Sequence, residues 1–225
     1  LLSSDSASFV ESTLFKVGGK YKIKSDKFNM DLTIPSAAFL TNKNRKFLWT
    51  PKVNVDYAVA EKILILYGAL HRDLVRNHYM TYFKNNPFIG ANLPHTNTLI
   101  NYNLSAGVKG ALSSKTTFNV GASYRDVKDF VLFVNDFNSI GGRKYTVITD
   151  DVVHTKIYGE LIFENKKIKS GLLGSYNIYE VFSAEAYHLP EIQGQAYIRY
   201  NVQDKFDLGG DLFYYGKQLS VDASN

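Results

Sequence analysis

Hydrophobic and polar residues alternate along most of this chain with a period of two, most cleanly from Ile192 to Lys217. There Ile192, Gly194, Ala196, Ile198, Tyr200 and Val202 alternate with Gln193, Gln195, Tyr197, Arg199 and Asn201. After a polar break at Gln203, Asp204 and Lys205, residues Phe206, Leu208, Gly210, Leu212 and Tyr214 alternate with Asp207, Gly209 and Asp211. Successive side chains on a strand point to opposite faces, so this spacing predicts a β-hairpin with one apolar and one wet face.

Four more such pairs precede it. Phe15 to Lys24 turns at Ser25, Asp26 and Lys27 into Phe28 to Ile34, where Pro35 is expected to stop the strand. Lys52 to Val59 leads into Ile63 to Leu70, whose second strand is apolar on both faces; Asn101 to Lys109 turns at Ser113 to Lys115 into Phe118 to Arg125. Val153 to Glu164 turns through Asn165 and Lys166 into Ile168 to Ile178. The connections between pairs are longer, about Pro35 to Pro51, His71 to Pro94, Asp126 to Asp150 and Tyr179 to Pro190. Short turns at one rim and long loops at the other are how outer-membrane barrels are built. Tyr21, Phe28, Phe118, Phe163, Tyr200 and Phe206 gather near the short turns, as an aromatic girdle would.

The fold predicted is therefore all-β, an antiparallel transmembrane β-barrel with about ten strands visible, residues 1–225 forming one domain. Both ends of the chain fall at the long-loop rim in this register, so the expectation is a piece of a larger barrel of roughly 12 to 16 strands, incomplete at both ends. A mean hydropathy of −0.18 does not oppose this reading. A transmembrane strand needs only about 9 to 11 residues, half of them facing the lumen. With 16 Tyr, 15 Phe and one Trp, aromatics make up 14% of the chain. That share suits interfacial girdles. There is no cysteine, which excludes disulfides and thiolate metal sites. The net charge of +5 comes from cations scattered among 21 acids, without the basic block interleaved with stacking aromatics that nucleic-acid binding calls for.

Ala186, Tyr187, His188, Leu189 and Pro190, the hairpin with its Asp204, Lys205 and Phe206 turn, and the close at Tyr214, Tyr215, Gly216 and Lys217 resemble the C-terminal barrel region of Bacteroidetes outer-membrane proteins described as TonB-dependent-receptor-like. Asn86, Pro87 and Phe88, leading into Gly107, Val108, Lys109 and Gly110, are similar too. The resemblance covers most of the chain and implies a barrel in the Gram-negative outer membrane, with a transport, ligand-binding or envelope-complex role. It departs from the family where a closing strand pair ending in an aromatic would follow. No TonB box or plug domain is found among these residues, so energised uptake is not implied.

Catalysis finds little support. His154 lies on the polar side near Asp150 and Asp151, a pairing able to act as a general base, but no nucleophile stands at an identifiable spacing. His71 and His78, with Arg72, Asp73 and Arg76, read as a helical turn in a loop, too widely spaced for a single-turn metal pair. Gly141, Gly142, Arg143 and Lys144 lack the strand and helix context of a phosphate loop, and Thr149, Asp150 and Asp151 read as a turn rather than a calcium site. No cofactor, metal or catalytic residue is expected.

The polar face is more informative. Lys16, Lys20, Lys22, Lys24, Lys52, Lys109, Arg125, Lys156, Lys169 and Arg199 share it with Asp31, Asp56, Glu160, Asp207 and Asp211. Of these, Lys109, Arg125, Lys156, Glu160, Arg199, Asp207 and Asp211 are the candidate lumen-facing site residues. They form either a structural charge network across the ladder or a wet, cation-rich wall for anionic solutes. The partners expected are outer-membrane lipid and other envelope proteins at the long loops. Three alternatives remain: a non-transporting barrel subunit of an assembly or secretion complex, a soluble lipocalin-like barrel with its apolar face inward, and an enzyme. Alternation alone does not separate the membrane and lipocalin readings, because it is symmetric under inversion.

Overall fold

The computed structural model describes residues 12–41, 45–60, 63–90, 93, 96–137, 144–203 and 205–220. They build one antiparallel sheet. Its strands are β1 (Ser12–Lys24), β2 (Phe28–Thr41), β3 (Arg45–Trp49), β4 (Lys52–Ala60), β5 (Leu64–Arg76), β6 (Asn97–Ser113), β7 (Thr116–Asp136), β8 (Lys144–Glu164), β9 (Ile168–Val181), β10 (Ile192–Val202) and β11 (Phe206–Tyr215). All except β3 pair in chain order, and β3 pairs with the far half of β2. This is the meander that the five predicted hairpins require. Among the described residues β1 and β11 each pair on one side only.

Residues directly opposed in an antiparallel ladder share a face. Followed strand by strand, the register joins Lys24, Asn29, Asp56, Tyr67, Gly107, Gly121, Tyr158, Ser175, Gln193 and Tyr215 into one row. The neighbouring row, on the opposite face, is Ile23, Met30, Val55, Gly68, Ala106, Ala122, Ile157, Tyr176 and Ile192. Along β6–β9 the apolar face is the more exposed one. Val120, Ile157 and Ile198 are each 53% exposed and Leu172 61%, whereas on the polar face of β9 Ser175 and Tyr179 are half-buried and Asn177 is 2% exposed. This inverts the distribution of a water-soluble protein. It is opposite to what a lipocalin-like barrel would show.

Three expectations are corrected. Pro35 does not end its strand: β2 continues to Thr41 and Pro35 faces Gly18 of β1. On the other side of β2, pairing with β4 stops at Thr33 and pairing with β3 begins at Ser36, so the proline occupies the break between two ladders, where a missing N–H costs little. Two of the four stretches read as long loops, Pro35 to Pro51 and Asp126 to Asp150, are largely strand, whereas His71 to Pro94 and Tyr179 to Pro190 are mostly not. Phe130 to Asp136 pairs with Lys144 to Asp150, placing Asp150 and Asp151 inside β8 rather than in a turn, and β5 runs through His71 to Arg76 rather than forming a helical turn. The helix comes later, as α1 (Tyr79–Asn85), with His78 at its N-cap accepting from the Thr81 N–H at 3.2 Å. Gly141 to Arg143 lie outside the described residues, and Lys144 opens β8.

The far half of the β7–β8 hairpin escaped the alternation rule because both of its faces are covered. Tyr82 of α1 packs with Ile89 and Val147 in a small core flanked by Val131, Phe133 and Tyr145. Leu132 and Val134, at the intervening positions, are buried as well. The segment 88–90 completes the assembly by bonding along β8, with the Gly90 N–H donating to the Tyr145 carbonyl at 2.8 Å and the Tyr145 N–H to that of Phe88 at 2.9 Å.

Candidate functional site

The polar face begins as a row of small and long residues that fit one another. Tyr67 leaves β5 and lies across Gly107 and Gly121. Its hydroxyl donates to Asn119 Oδ1 at 2.8 Å, and the Tyr158 hydroxyl of β8 donates to it at 2.7 Å. The side chain thus spans β6 and β7, which only glycine at both crossings allows. Gly209 plays the same part under Arg199: a Cβ there would come within 2.6 Å of the arginine Cδ.

Charges fill most of the rest. Lys109 pairs with Asp56 at 2.9 Å and sits 5.3 Å from the centre of the Tyr67 ring. Asp73 holds both Lys52, at 2.8 Å, and Lys16, at 3.2 Å, and Asp31 lies within 3.6 Å of Lys20. Arg199 grips both oxygens of Asp211 at 2.8 and 2.7 Å, the bidentate geometry that makes guanidinium–carboxylate pairs specific. Asp207 accepts from Asn201 at 3.0 Å. The ion-paired side chains remain 30–52% exposed, so each pair contributes only about 0–1 kcal/mol. Their number keeps the face wet and orders its side chains.

Of the seven candidate residues, Lys109, Arg199, Asp207 and Asp211 are thus engaged with polar partners. Glu160 and Lys156 line a groove of about 320 Å³ with Tyr158, Ser175 and Gln193, and Arg125 stands opposite His154. His154 itself bonds Asn177 Oδ1 at 3.1 Å and stacks on Tyr179 with ring centres 4.4 Å apart. Asp150 and Asp151 serve elsewhere. Asp151 Oδ1 accepts the N–H of Asp129, a bulge residue with φ of 53°. Among the described residues no group of three His, Cys, Asp or Glu is placed to hold a metal.

Sequence reasoning missed Tyr67, Asp73 and Asn177. The facing glycines of β6 and β7 were the available signal for Tyr67; nothing local marks the other two. Asn177 is 2% exposed and donates to the carbonyls of Pro190 and Glu191, both at 3.3 Å, tying the β9–β10 connection to the sheet. Asn177→Leu should cost about 1 to 3 kcal/mol, because it leaves those carbonyls and His154 without their partner. Limited proteolysis should then cut within 182–191 at lower protease concentrations, and wild-type resistance would mean the amide is dispensable.

The same connection is held from its other end by Asp150, whose Oδ2 accepts from the N–H groups of Ser183 and Ala184, both at 2.7 Å. Counted from the Glu164 end of β8, Asp150 lies beyond the roughly 9 to 11 residues that cross a bilayer. Burial pushes its carboxyl up, but the N–H donors of Ser183, Ala184 and Asp151 outweigh this and hold it below the usual carboxylate range. A carboxyl depressed in the folded state stabilises it fully above the unfolded value, about 3.9, and loses that contribution as pH falls through the folded value. The protection factors of the Ser183 and Ala184 amides against exchange should therefore fall only below about pH 4. In Asp150→Asn this acid step should disappear; an identical step in the variant would assign it to another group.

No family model matches the chain, and no curated protein matches it. Solved structures do. A chain in the FpvAI–pyocin S2 complex aligns with a TM-score of 0.60 and 12% identity, over 94% of this chain and 29% of that one. BauA, the ferric preacinetobactin receptor from Acinetobacter baumannii, aligns with a TM-score of 0.57 and 13% identity, over 93% and 33%. The alcaligin outer-membrane receptor FauA from Bordetella pertussis gives 0.55 and 13%, over 92% and 38%. The chain thus spans about a third of the length of these structures. They are TonB-dependent receptors of Gram-negative outer membranes, and at this identity what the chain shares with them is the fold, the antiparallel sheet of their barrels.

Proposed function

We propose that this chain forms part of the wall of a Gram-negative outer-membrane β-barrel, larger than the ten strands in its path, whose polar face lines the interior and whose role is transport or ligand binding. The observation that carries the reading is the inverted exposure: apolar side chains such as Val120, Leu172 and Ile198 stand outward while ion pairs and tyrosine hydroxyls cover the other face. Lipid accepts the first face and water the second. Every spanning strand must also have its backbone groups bonded, which a closed ladder provides and an open edge does not. Among the described residues β1 and β11 pair on one side only, which leaves edges that a closed ladder would have to cover. The fold shared with receptor and transporter barrels supports the transport role over an enzymatic one. Exposed Met80 and Phe88 at the far end of the sheet, 58% and 67% accessible, suit other envelope proteins as partners.

The test is extraction of the full-length protein from the outer-membrane fraction, followed by gel migration with and without heating. A requirement for detergent and faster migration when unheated are expected. A protein that stays folded and monomeric in plain buffer would overturn the reading and turn the apolar face inward.

A further inference from the structure

Across most of the polar face, cations meet carboxylates: Lys16 and Lys52 with Asp73, Lys20 with Asp31, Lys109 with Asp56, Arg199 with Asp211. The middle of β6 to β9 departs from this rule. Asn103, Arg125, His154 and Tyr179 stand in one row, and Ser105, Ser123, Lys156 and Asn177 in the next. These eight positions include two full cations and no acid. Asp126, on the opposite face, receives Asn101 at 2.9 Å, and the Asp150 carboxylate is taken by backbone N–H groups.

Among the described residues neither Arg125 nor Lys156 has a carboxylate partner, and the Arg125 Nε is buried with no acceptor. A buried guanidinium donor left unpaired is costly, so its natural complement is an oxygen anion. There is room for one. Arg125 borders a cavity of about 160 Å³ walled by Phe130, Val152, His154, Tyr179 and Leu189. The His154–Tyr179 stack makes one side of it rigid and flat, and Leu189, from the connection that Asn177 and Asp150 hold down, covers it.

We infer that Arg125 and Lys156 bind the anionic oxygen group, carboxylate or phosphate, of a small solute in the barrel interior. The inference rests on the reading that the polar face lines that interior. Arg125 supplies directed N–H donors at the cavity; Lys156, whose ammonium now sits 5.9 Å from the Tyr158 ring centre in the groove it shares with Glu160, supplies a point charge from the neighbouring row by swinging toward the bound anion. The cavity accepts one such group, with the rest of the solute extending over the open polar face.

The test is calorimetric titration of citrate into the full-length protein folded in detergent. Saturable binding is expected, displaced by inorganic phosphate. Arg125→Gln and Lys156→Gln should each weaken it at least about tenfold, the loss of one charge-assisted contact. Lys115→Gln, which removes the same charge at a short turn, should leave it unchanged. Unheated gel migration checks folding of each variant, and Lys156→Gln decides the matter if Arg125→Gln does not fold. Absence of saturable binding, or equal binding by the folded variants, overturns the site; a carboxylate of the protein's own chain occupying it would give that first result. A heat-modifiable protein that ignores citrate loses only this site. One that needs no detergent loses the interior reading as well.

Discussion

Val120→Lys is expected to destabilise the protein by about 2 to 4 kcal/mol, and Ile198→Lys by a similar amount. Each residue stands on the apolar face, 53% exposed, four or five positions from a short turn, which places it near the middle of a bilayer when the strand is tilted. There the ammonium group has no water to face and must distort the lipid to reach it. Ser123→Lys is the matched control. It points to the wet side, directly opposite Lys156, so its cost is a like-charge contact of up to about 1 kcal/mol. Urea unfolding of the protein inserted in vesicles, followed by circular dichroism, measures all three. Equal costs at Val120 and Ser123 would mean that the two faces are not divided between lipid and water.

Gly121→Ala is expected to cost about 1 to 3 kcal/mol through overpacking. A Cβ at Gly121 would fall 2.5 Å from the Tyr67 hydroxyl, 2.8 Å from the Ala106 carbonyl oxygen and 2.8 Å from the Tyr158 hydroxyl. The hydroxyls can swing away, at the expense of the Tyr67–Tyr158 bond, but the carbonyl belongs to the paired strand and cannot. Tyr67→Phe in the same background should therefore rescue only part of the loss. Gly159→Ala, one residue beyond Tyr158 in the same ladder, meets no atom within 4 Å. It should be neutral to about 1 kcal/mol stabilising, because alanine restricts the unfolded chain. Chemical unfolding of the two variants side by side gives the comparison, and a neutral Gly121→Ala would show that Tyr67 does not need the glycine beneath it.

The five strand pairs were legible because parity is a local property. Once a segment is extended, the face of each side chain follows from its position in the sequence, and the apolar and polar sets of Phe118 to Arg125 or Ile192 to Val202 separate without knowledge of what they touch. The same logic failed from Phe130 to Val134, where α1 and its surroundings cover one face while the other is also buried. An element with two dry faces carries no period-two signal. It failed at Pro35 too, since a proline's effect depends on whether a partner strand awaits its missing N–H, and β3 had not been recognised.

Sequence by itself determined the meander, the division of each strand into an apolar and a polar side, and the polar placement of Lys109, Arg125, Lys156, Glu160, Arg199, Asp207 and Asp211. Tertiary structure decided which of those residues meet. Lys16 and Lys52 reach Asp73 from strands far from it in sequence, and Tyr67 reaches Tyr158 over two glycines. It also left Arg125 beside His154 with no acid paired to it among the described residues, and it left the apolar side of β6–β9 the more exposed one. Alternation reads the same from either side of a sheet, so the direction in which a barrel wall faces, and the charges that face one another across it, exist only once the strands are laid side by side.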